Sequence, residues 1–325
     1  MQNSKTEWTR QTSLDGAMPG KGNDSMKISR SDFRQEVTDE VIKLIEAGTA
    51  PWMKPWQTGE IAPAFNPTTN KSYRGGNIIA LMCASLRKGY KDPRWMTYRQ
   101  AVQKGWQVRK GEKGSRIEFF KEEVTEAEAT SDKKQRVVVR HYPVFNAQQT
   151  DGVPKLDLPR KEQWEAIKAG EQIMKNSGAV IKYGGEKAYY DPRLDYIQLP
   201  KREDFFDAAM FYATACHELG HWSGHSSRLN RATCMYERNR EDYAKEELVA
   251  ELAGLFVSAE TGLPFDPSQH AAYINSWLSA LKKDKNEIFR AASAASKAAD
   301  YLLQKKKAKT KMAIGVGRAL LCAAA

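Results

Sequence analysis

Apolar residues recur at three- and four-residue spacing from Phe33 through Val37, Val41 and Ile42 to Leu44 and Ile45. That period predicts a helix starting near Ser31 or Asp32, both good N-caps, and stopping at Gly48. The run Pro51-Trp52-Met53-Lys54-Pro55-Trp56 is too proline-rich for a helix or a central strand. Short helices are predicted over Asn77 to Leu86 and Trp95 to Lys104. Arg116 to Phe120 and Val137 to Phe145 are strand-like, with the charged stretch Lys121 to Arg136 expected as the loop between them.

Residues Thr150 to Arg160 hold Gly152, Pro154 and Pro159 among few apolar groups and are the expected linker. Beyond it the pattern predicts a helix over Lys161 to Asn176, a strand over Val180 to Tyr183, and a hairpin of Ala188 to Tyr190 with Tyr196 to Leu199. Helices then dominate: Asp204 to Trp222, Asp242 to Glu260, Pro267 to Leu281 and Lys285 to Lys305. The last carries Ala292, Ala295, Ser296 and Ala299, small residues that let helices approach closely. The expected fold class is α+β in two domains. A polar tail (1–27) precedes a basic domain (28–150), the linker (151–160), a mostly helical domain with a small sheet (161–305) and a tail (306–325).

Composition sharpens this picture in one place. The chain has 325 residues and a net charge of +11. Between Ile61 and Ile117 stand twelve Lys and Arg against two acids, which is +10. No run of ~18 apolar residues is present, so no membrane partner is expected. The four cysteines, at 83, 216, 234 and 322, have no CxxC spacing, which fits a reducing cytoplasm.

The basic window is interleaved with aromatic residues. Cations follow phosphates and aromatic faces stack unpaired bases, so single-stranded nucleic acid is the expected partner. The candidate contacts are Trp52, Trp56, Tyr73, Arg74, Trp95, Trp106, Arg109, Lys110 and Lys113.

The strongest chemical signal is His217-Glu218-Leu219-Gly220-His221. Residues four apart share a helix face, so the two imidazoles can hold one metal ion. Glu218 stands beside the first ligand as general base, the H-E-x-x-H arrangement of metallopeptidases. A third ligand comes from Lys245-Glu246-Glu247-Leu248-Val249-Ala250-Glu251, with Glu247 preferred, Glu251 as the alternative or as the group holding a ligand, and His225 as an uncertain fourth. The donor set suits zinc, and Mn²⁺ fits the same donors. A carboxylate-rich magnesium nuclease site fits less well. Tyr243 is a candidate to stabilise developing negative charge.

These motifs resemble plasmid antirestriction proteins of the ArdC type. The first half carries Pro51-Trp52, Pro55-Trp56, Tyr73-Arg74-Gly75-Gly76-Asn77, Trp95-Met96-Thr97, Gly105-Trp106 through Lys113-Gly114, and Val144-Phe145-Asn146-Ala147-Gln148-Gln149. The second carries His217 through His225, Arg228-Leu229-Asn230-Arg231 and Glu246 through Glu251. Similar first modules begin plasmid TraC-type primases. The resemblance implies a single-stranded-DNA-binding domain followed by a zincin-like metallopeptidase domain. It implies protection of incoming plasmid DNA from host restriction, with a restriction component or another protein as substrate. It carries over His217, His221 and a glutamate of the second helix as ligands and Glu218 as catalytic acid/base, without deciding between Glu247 and Glu251. The rival reading is a non-enzymatic protein that coats single-stranded DNA and uses its metal only as a structural clip.

Overall fold

The computed structural model describes residues 32–48, 50–52, 63–125, 134–156, 163–234, 239–265 and 273–304. The expected tails, Trp56, the late lysine run and residues 157–160 of the expected linker lie outside these. Among the described residues no helix is long and apolar enough to cross a membrane.

Helix α1 (Phe33–Glu46) forms as its apolar period predicts and buries Phe33, Val37, Val41 and Ile45 along one stripe. Short strands β1 (Phe65–Asn66) and β2 (Lys71–Ser72) pair as a hairpin, with Asn70 in the left-handed region at φ 54°. Helix α2 (Gly76–Lys88) follows and ends on Gly89 at φ 70°.

The expected helix from Trp95 is corrected. Trp95–Met96 is a strand, β3, and only Tyr98–Gln103 is helical, as α3. Thr97 explains the break: its side chain caps the helix in a reciprocal capping box with Gln100, so Trp95 and Met96 stay extended. β3 pairs with β6 (Lys134–Asn146), which also pairs along its length with β5 (Ser115–Thr125). The two strands therefore run well into the stretch expected as a loop, where the sequence, charged at Lys121, Glu122 and Glu123 in succession, lacks the apolar–polar alternation that marks a strand. β4 (Gln107–Val108) pairs with β7 (Thr150–Asp151), so ordered pairing continues past the expected domain end at residue 150.

Helix α4 (Gln163–Ser177) leads into a second sheet of order β8-β10-β9. Here β9 (Tyr189–Asp191) and β10 (Tyr196–Leu199) form the expected hairpin, and β8 (Val180–Tyr183) lies parallel to β10. Four helices complete the chain: α5 (Ala208–Trp222), α6 (Arg240–Thr261), α7 (Ile274–Lys283) and α8 (Glu287–Leu302). α5 starts later than expected because Asp207, not Asp204, caps it by accepting from the Met210 amide.

One hydrophobic core runs through both halves. It joins Phe33, Val41, Ile45, Trp52 and Ile79 of the first to Trp277, Ile288, Phe289 and Ala292 of the second. Phe33 packs edge-on against Phe289 at 5.9 Å. A side chain at Gly76 would strike the Phe289 ring at 2.1 Å, so the start of α2 sits directly on α8. Polar contacts follow the same seam. Arg34 donates to Glu118 at 2.8 Å and to Asn286 at 2.9 Å, and Thr38 donates to the Lys285 carbonyl at 2.8 Å. The small residues Ala292, Ala295, Ser296 and Ala299 are all buried.

Candidate metal centre and basic surface

α5 and α6 bring the centre together because they cross closely. A β-carbon at Gly220 would meet the Ala250 backbone at 3.2 Å and push the helices apart by a few tenths of an ångström, so glycine favours this approach. The crossing turns the histidine face of α5 toward the stripe Tyr243, Glu247, Glu251 of α6. His217 Nε2 and His221 Nε2 lie 3.2 Å apart. The Glu247 carboxylate is 3.5 Å from the first and 3.4 Å from the second. These three residues form one group able to hold a cation.

The spacing fits an ion. Donors ~2.05 Å from a tetrahedral centre lie ~3.3 Å from one another, close to the 3.2 Å between the two imidazole nitrogens, and the Glu247 oxygens reach one nitrogen each, Oε2 at 3.5 Å from His217 and Oε1 at 3.4 Å from His221. Two imidazole nitrogens and a carboxylate suit zinc or Mn(II). His225 is turned away: its Nδ1 lies 2.8 Å from Ser227 Oγ and 3.9 Å from Asp195.

Each ligand is backed by another group. Glu251 reaches the Nδ1 side of His217 at 3.9 Å, which places it behind the imidazole rather than beside Glu247. Glu246 faces His221 Nδ1 at 3.4 Å. Glu246, one of the three candidate carboxylates of the second helix with Glu247 and Glu251, thus stands behind an imidazole rather than on the ion. It is fully buried and held by Arg231 Nε at 3.1 Å and Thr233 Oγ1 at 2.6 Å. Arg231 also donates to Ser223 Oγ at 2.9 Å and to the Gly220 carbonyl at 2.7 Å. The loop makes this reach through Gly224, where a β-carbon would strike the guanidinium at 2.5 Å. Glu247 is backed by Tyr243, one turn before it on α6 and close enough for its charge to raise the phenol; the Tyr243 hydroxyl lies 3.0 Å from the Tyr273 hydroxyl.

The electrostatics follow from this crowding. Burial pushes the His221 imidazole down, but Glu247, Glu246 and Glu218 outweigh it and raise it well above the ordinary value. Burial would lift Glu247, yet the two histidines hold its carboxyl far below the usual range. Glu246 is likewise held down, to about 2, by His221 and Arg231. Burial and the neighbouring Glu247 and Tyr273 push the Tyr243 phenol up, so it stays protonated.

The centre opens into a cavity of about 170 Å³. Glu218 lines it next to the imidazoles, as do Tyr243 and Tyr273. Ala188, Tyr189 and Tyr190 form another wall, which places the outer strand β9 along the cavity.

The basic window is altered more than the metal site. Trp52 and Trp95 are 0% and 1% exposed, so neither offers a face to a base, and both are corrected from contact residues to core. Tyr73 packs beside Trp95 and donates its hydroxyl to the Trp95 carbonyl at 2.9 Å. Large aromatic side chains are what a small first half has available to fill a core. Trp106 stays half-buried, and Tyr98 is 50% exposed.

Five of the twelve cations are ion-paired: Arg74 with Asp300, Arg87 with Glu40, Arg94 with Asp92, Arg109 with Glu112 and Asp151, and Arg116 with Glu36. Most of those acids lie outside the window, which is why counting within it overstated the free charge. Lys71, Lys88, Lys91, Arg99, Lys104, Lys110 and Lys113 are exposed and make no ion pair among the described residues. Lys88 and Arg109 lie close enough to Glu112 to lower its carboxyl, after its hydrogen bond from Gln149. The Arg109 guanidinium donates to the Gln148 carbonyl, and the backbone amide of Lys91 donates to the Gln148 side chain. The free cations therefore include a cluster around the loop after β4.

Comparison with known proteins agrees with this division. Residues 31–147 match the N-terminal domain of the anti-restriction factor ArdC, and residues 168–294 match a zincin-like metallopeptidase family. The antirestriction protein ArdC of plasmid R388 has been solved metal-free and with Mn(II) bound. These two structures are 44% and 43% identical to this chain, with TM-scores of 0.71 and 0.70; each alignment covers 84% of this chain and 97% of that one. A DNA primase TraC from Escherichia coli is 45% identical over 296 residues, 84% of this chain. The chain spans only 27% of that primase's length. The uncharacterized protein y4eC of Sinorhizobium fredii is 36% identical, covering 84% of this chain and 92% of that protein.

Proposed function

The chain belongs to the ArdC family of antirestriction proteins, and we propose that it binds single-stranded DNA and carries one divalent metal in an open, hydrolytic centre. The observation that carries the second part is the convergence of His217, His221 and Glu247 on a cavity that Glu218 also lines. Three protein ligands with a general base beside them is the arrangement of catalytic rather than structural zinc sites. His225, turned toward Ser227, does not close the site as a fourth ligand.

A bound metal would supply Lewis-acid polarisation of a carbonyl and a water of lowered pKa. The chain's own residues do the rest. Glu218 takes the proton of the attacking water and delivers it to the leaving amine. Tyr243, protonated at neutral pH, keeps Glu247 in place. The free edge of β9 holds an extended peptide along the cavity by main-chain pairing. The exposed cations of the first half, with Trp106 and Tyr98, form the surface for single-stranded DNA. A protein substrate, such as a restriction component, joins the two activities into protection of incoming plasmid DNA.

Metal content measured on the purified chain tests the centre. His217→Ala, His221→Ala and Glu247→Gln are expected to lose stoichiometric zinc or Mn(II), while Glu218→Gln keeps it. A Glu218→Gln chain that lost metal as completely as the histidine variants would overturn the general-base role.

A further inference from the structure

Trp52 was expected to stack on a base and is instead completely buried. Its surroundings give it a different part. It lies in the half that matches the ArdC N-terminal domain. Its ring meets Trp277 of α7 edge-on, with centroids 6.2 Å apart. Trp277 is also tied to α6, its indole N–H donating to the Ala244 carbonyl at 2.9 Å. Trp277 stacks on Tyr273 at 6.3 Å and an interplanar angle of 26°. The Tyr273 hydroxyl is 3.0 Å from that of Tyr243, which stands one turn before Glu247 on α6 and lines the same cavity.

We propose that Trp52 is a positioning residue of the metal centre, acting through Trp277, Tyr273 and Tyr243 on Glu247. The proposal rests on the assignment of His217, His221 and Glu247 as ligands. The physical reason lies in how the three ligands are held. His217 is backed by Glu251 and His221 by Glu246, both from α6 itself. Glu247 alone is backed by a phenol, Tyr243, whose own partner Tyr273 is the residue that caps the start of α7. A carboxylate on a flexible stem takes its rotamer from the hydrogen bonds at its end. That places the position of α7 in control of the third ligand, and α7 is braced by Trp52. Interiors packed at crystal density pass on a loss of volume rather than absorb it. Removing the indole therefore moves Trp277 and, with it, the phenol pair.

The test measures Mn(II) affinity of the full chain by calorimetry and the Mn(II) paramagnetic resonance spectrum. Tyr273→Phe, which removes a group touching Tyr243, is expected to weaken binding by ~10-fold. Trp52→Leu is expected to weaken it by ~3-fold or more and to alter the spectrum, and Trp52→Phe to restore most of both. Trp95→Leu is the control: an equally buried tryptophan in a separate cluster, expected to lower stability without changing affinity or spectrum. If Trp52→Leu fails to fold, Trp52→Phe and Trp277→Phe carry the comparison, with affinity losses expected to rank Trp277→Phe above Trp52→Phe. Wild-type affinity in Trp52→Leu, or in Trp277→Phe where Trp52→Leu does not fold, or an equal loss in Trp95→Leu, overturns the proposal alone. A wild-type chain that takes up no Mn(II) overturns the ligand assignment and this proposal together.

Discussion

Glu246→Gln tests whether the buried glutamate facing His221 contributes to metal binding. With its oxygen at the Oε2 position the amide keeps its shape and the bonds it accepts from Arg231 Nε and Thr233, but gives up the second Arg231 bond and the charge facing His221 Nδ1. Groups that hold a metal-ligating histidine are typically worth ~10- to 100-fold in metal affinity. The Nδ1 to Glu246 separation is 3.4 Å, long against the ~2.7–2.9 Å of a strong charge-assisted bond, which puts the effect at the lower end. We therefore expect about a ten-fold loss, or ~1.4 kcal/mol. Glu246→Ala goes further. It leaves Arg231, only 9% exposed, without its carboxylate, and breaking a buried pair costs ~3–5 kcal/mol of stability. The remaining acceptors of Arg231, at Ser223 and Gly220, hold that cost near its lower limit. The assay is chelator competition for affinity, with thermal unfolding of the metal-free chain for stability. Thr233→Val, which keeps the carboxylate, should change affinity by less than about three-fold. If Glu246→Gln bound metal as tightly as the wild type, Glu246 would be a purely structural partner of Arg231.

Two further outcomes follow from charge. His221 in the metal-free chain is raised to about 10, so its proton contributes stability below its ordinary value near 6.5 and that contribution fades as pH rises toward 10. A metal must displace that proton; apparent affinity should rise about ten-fold per pH unit between pH 7 and 9, and calorimetry in buffers of different ionisation enthalpy should show proton release near one per metal. For DNA, the seven cations of the basic window that are unpaired among the described residues, at ~0.7 per phosphate contact, contribute about −5 to the slope of log affinity against log salt for a single strand. Replacing Lys88, Lys91, Lys110 and Lys113 together should flatten it by up to ~3, while Trp106→Ala should weaken binding with little change of slope; a single strand that binds no better than duplex would remove the stacking contribution.

The parts legible in the sequence are those whose information is local. The H-E-x-x-H spacing places two imidazoles on one helix face whatever the rest of the chain does, and the period from Phe33 to Ile45 sets α1 by itself. The third ligand is not local. Glu246 and Glu247 are neighbours pointing roughly 100° apart on α6, and which of them faces the histidines depends on how Gly220 lets α5 cross Ala250. The charge count failed for the same reason. Arg74, Arg87 and Arg116 find Asp300, Glu40 and Glu36 across the fold. Trp95 resembled the start of a helix because Thr97, which stops the helix there, reads only as one more polar residue until its capping box with Gln100 is seen.

The shared core bears on how far the two halves can be separated. A fragment ending near Gly152 keeps every exposed cation of the basic window, so charge alone predicts that it binds DNA. Its packing predicts otherwise. Phe33, Val37, Val41, Ile45 and Trp52 are at most 7% exposed and belong to the cluster that includes Trp277, Ile288 and Phe289 of the second half. Exposing a side chain of this size costs ~1.5–3 kcal/mol, so five that lose half their cover cost ~4–7 kcal/mol. That rivals the ~5–15 kcal/mol of a whole domain. Arg34 and Thr38 lose their partners Asn286 and Lys285 in the same cut. Fragment 1–152 is therefore expected to unfold well below the melting temperature of the full chain, to expose apolar surface to a hydrophobic dye, and to bind single-stranded DNA weakly. Phe33→Ser with Trp52→Ser in the fragment tests the cause: both positions are solvent-exposed there if the seam is real, and their replacement should improve solubility. A fragment that melts cooperatively at the temperature of the full chain would show that the first half stands on its own core, the cluster of Leu81, Trp95, Ile117 and Val144, and that the seam is an interface rather than a shared interior.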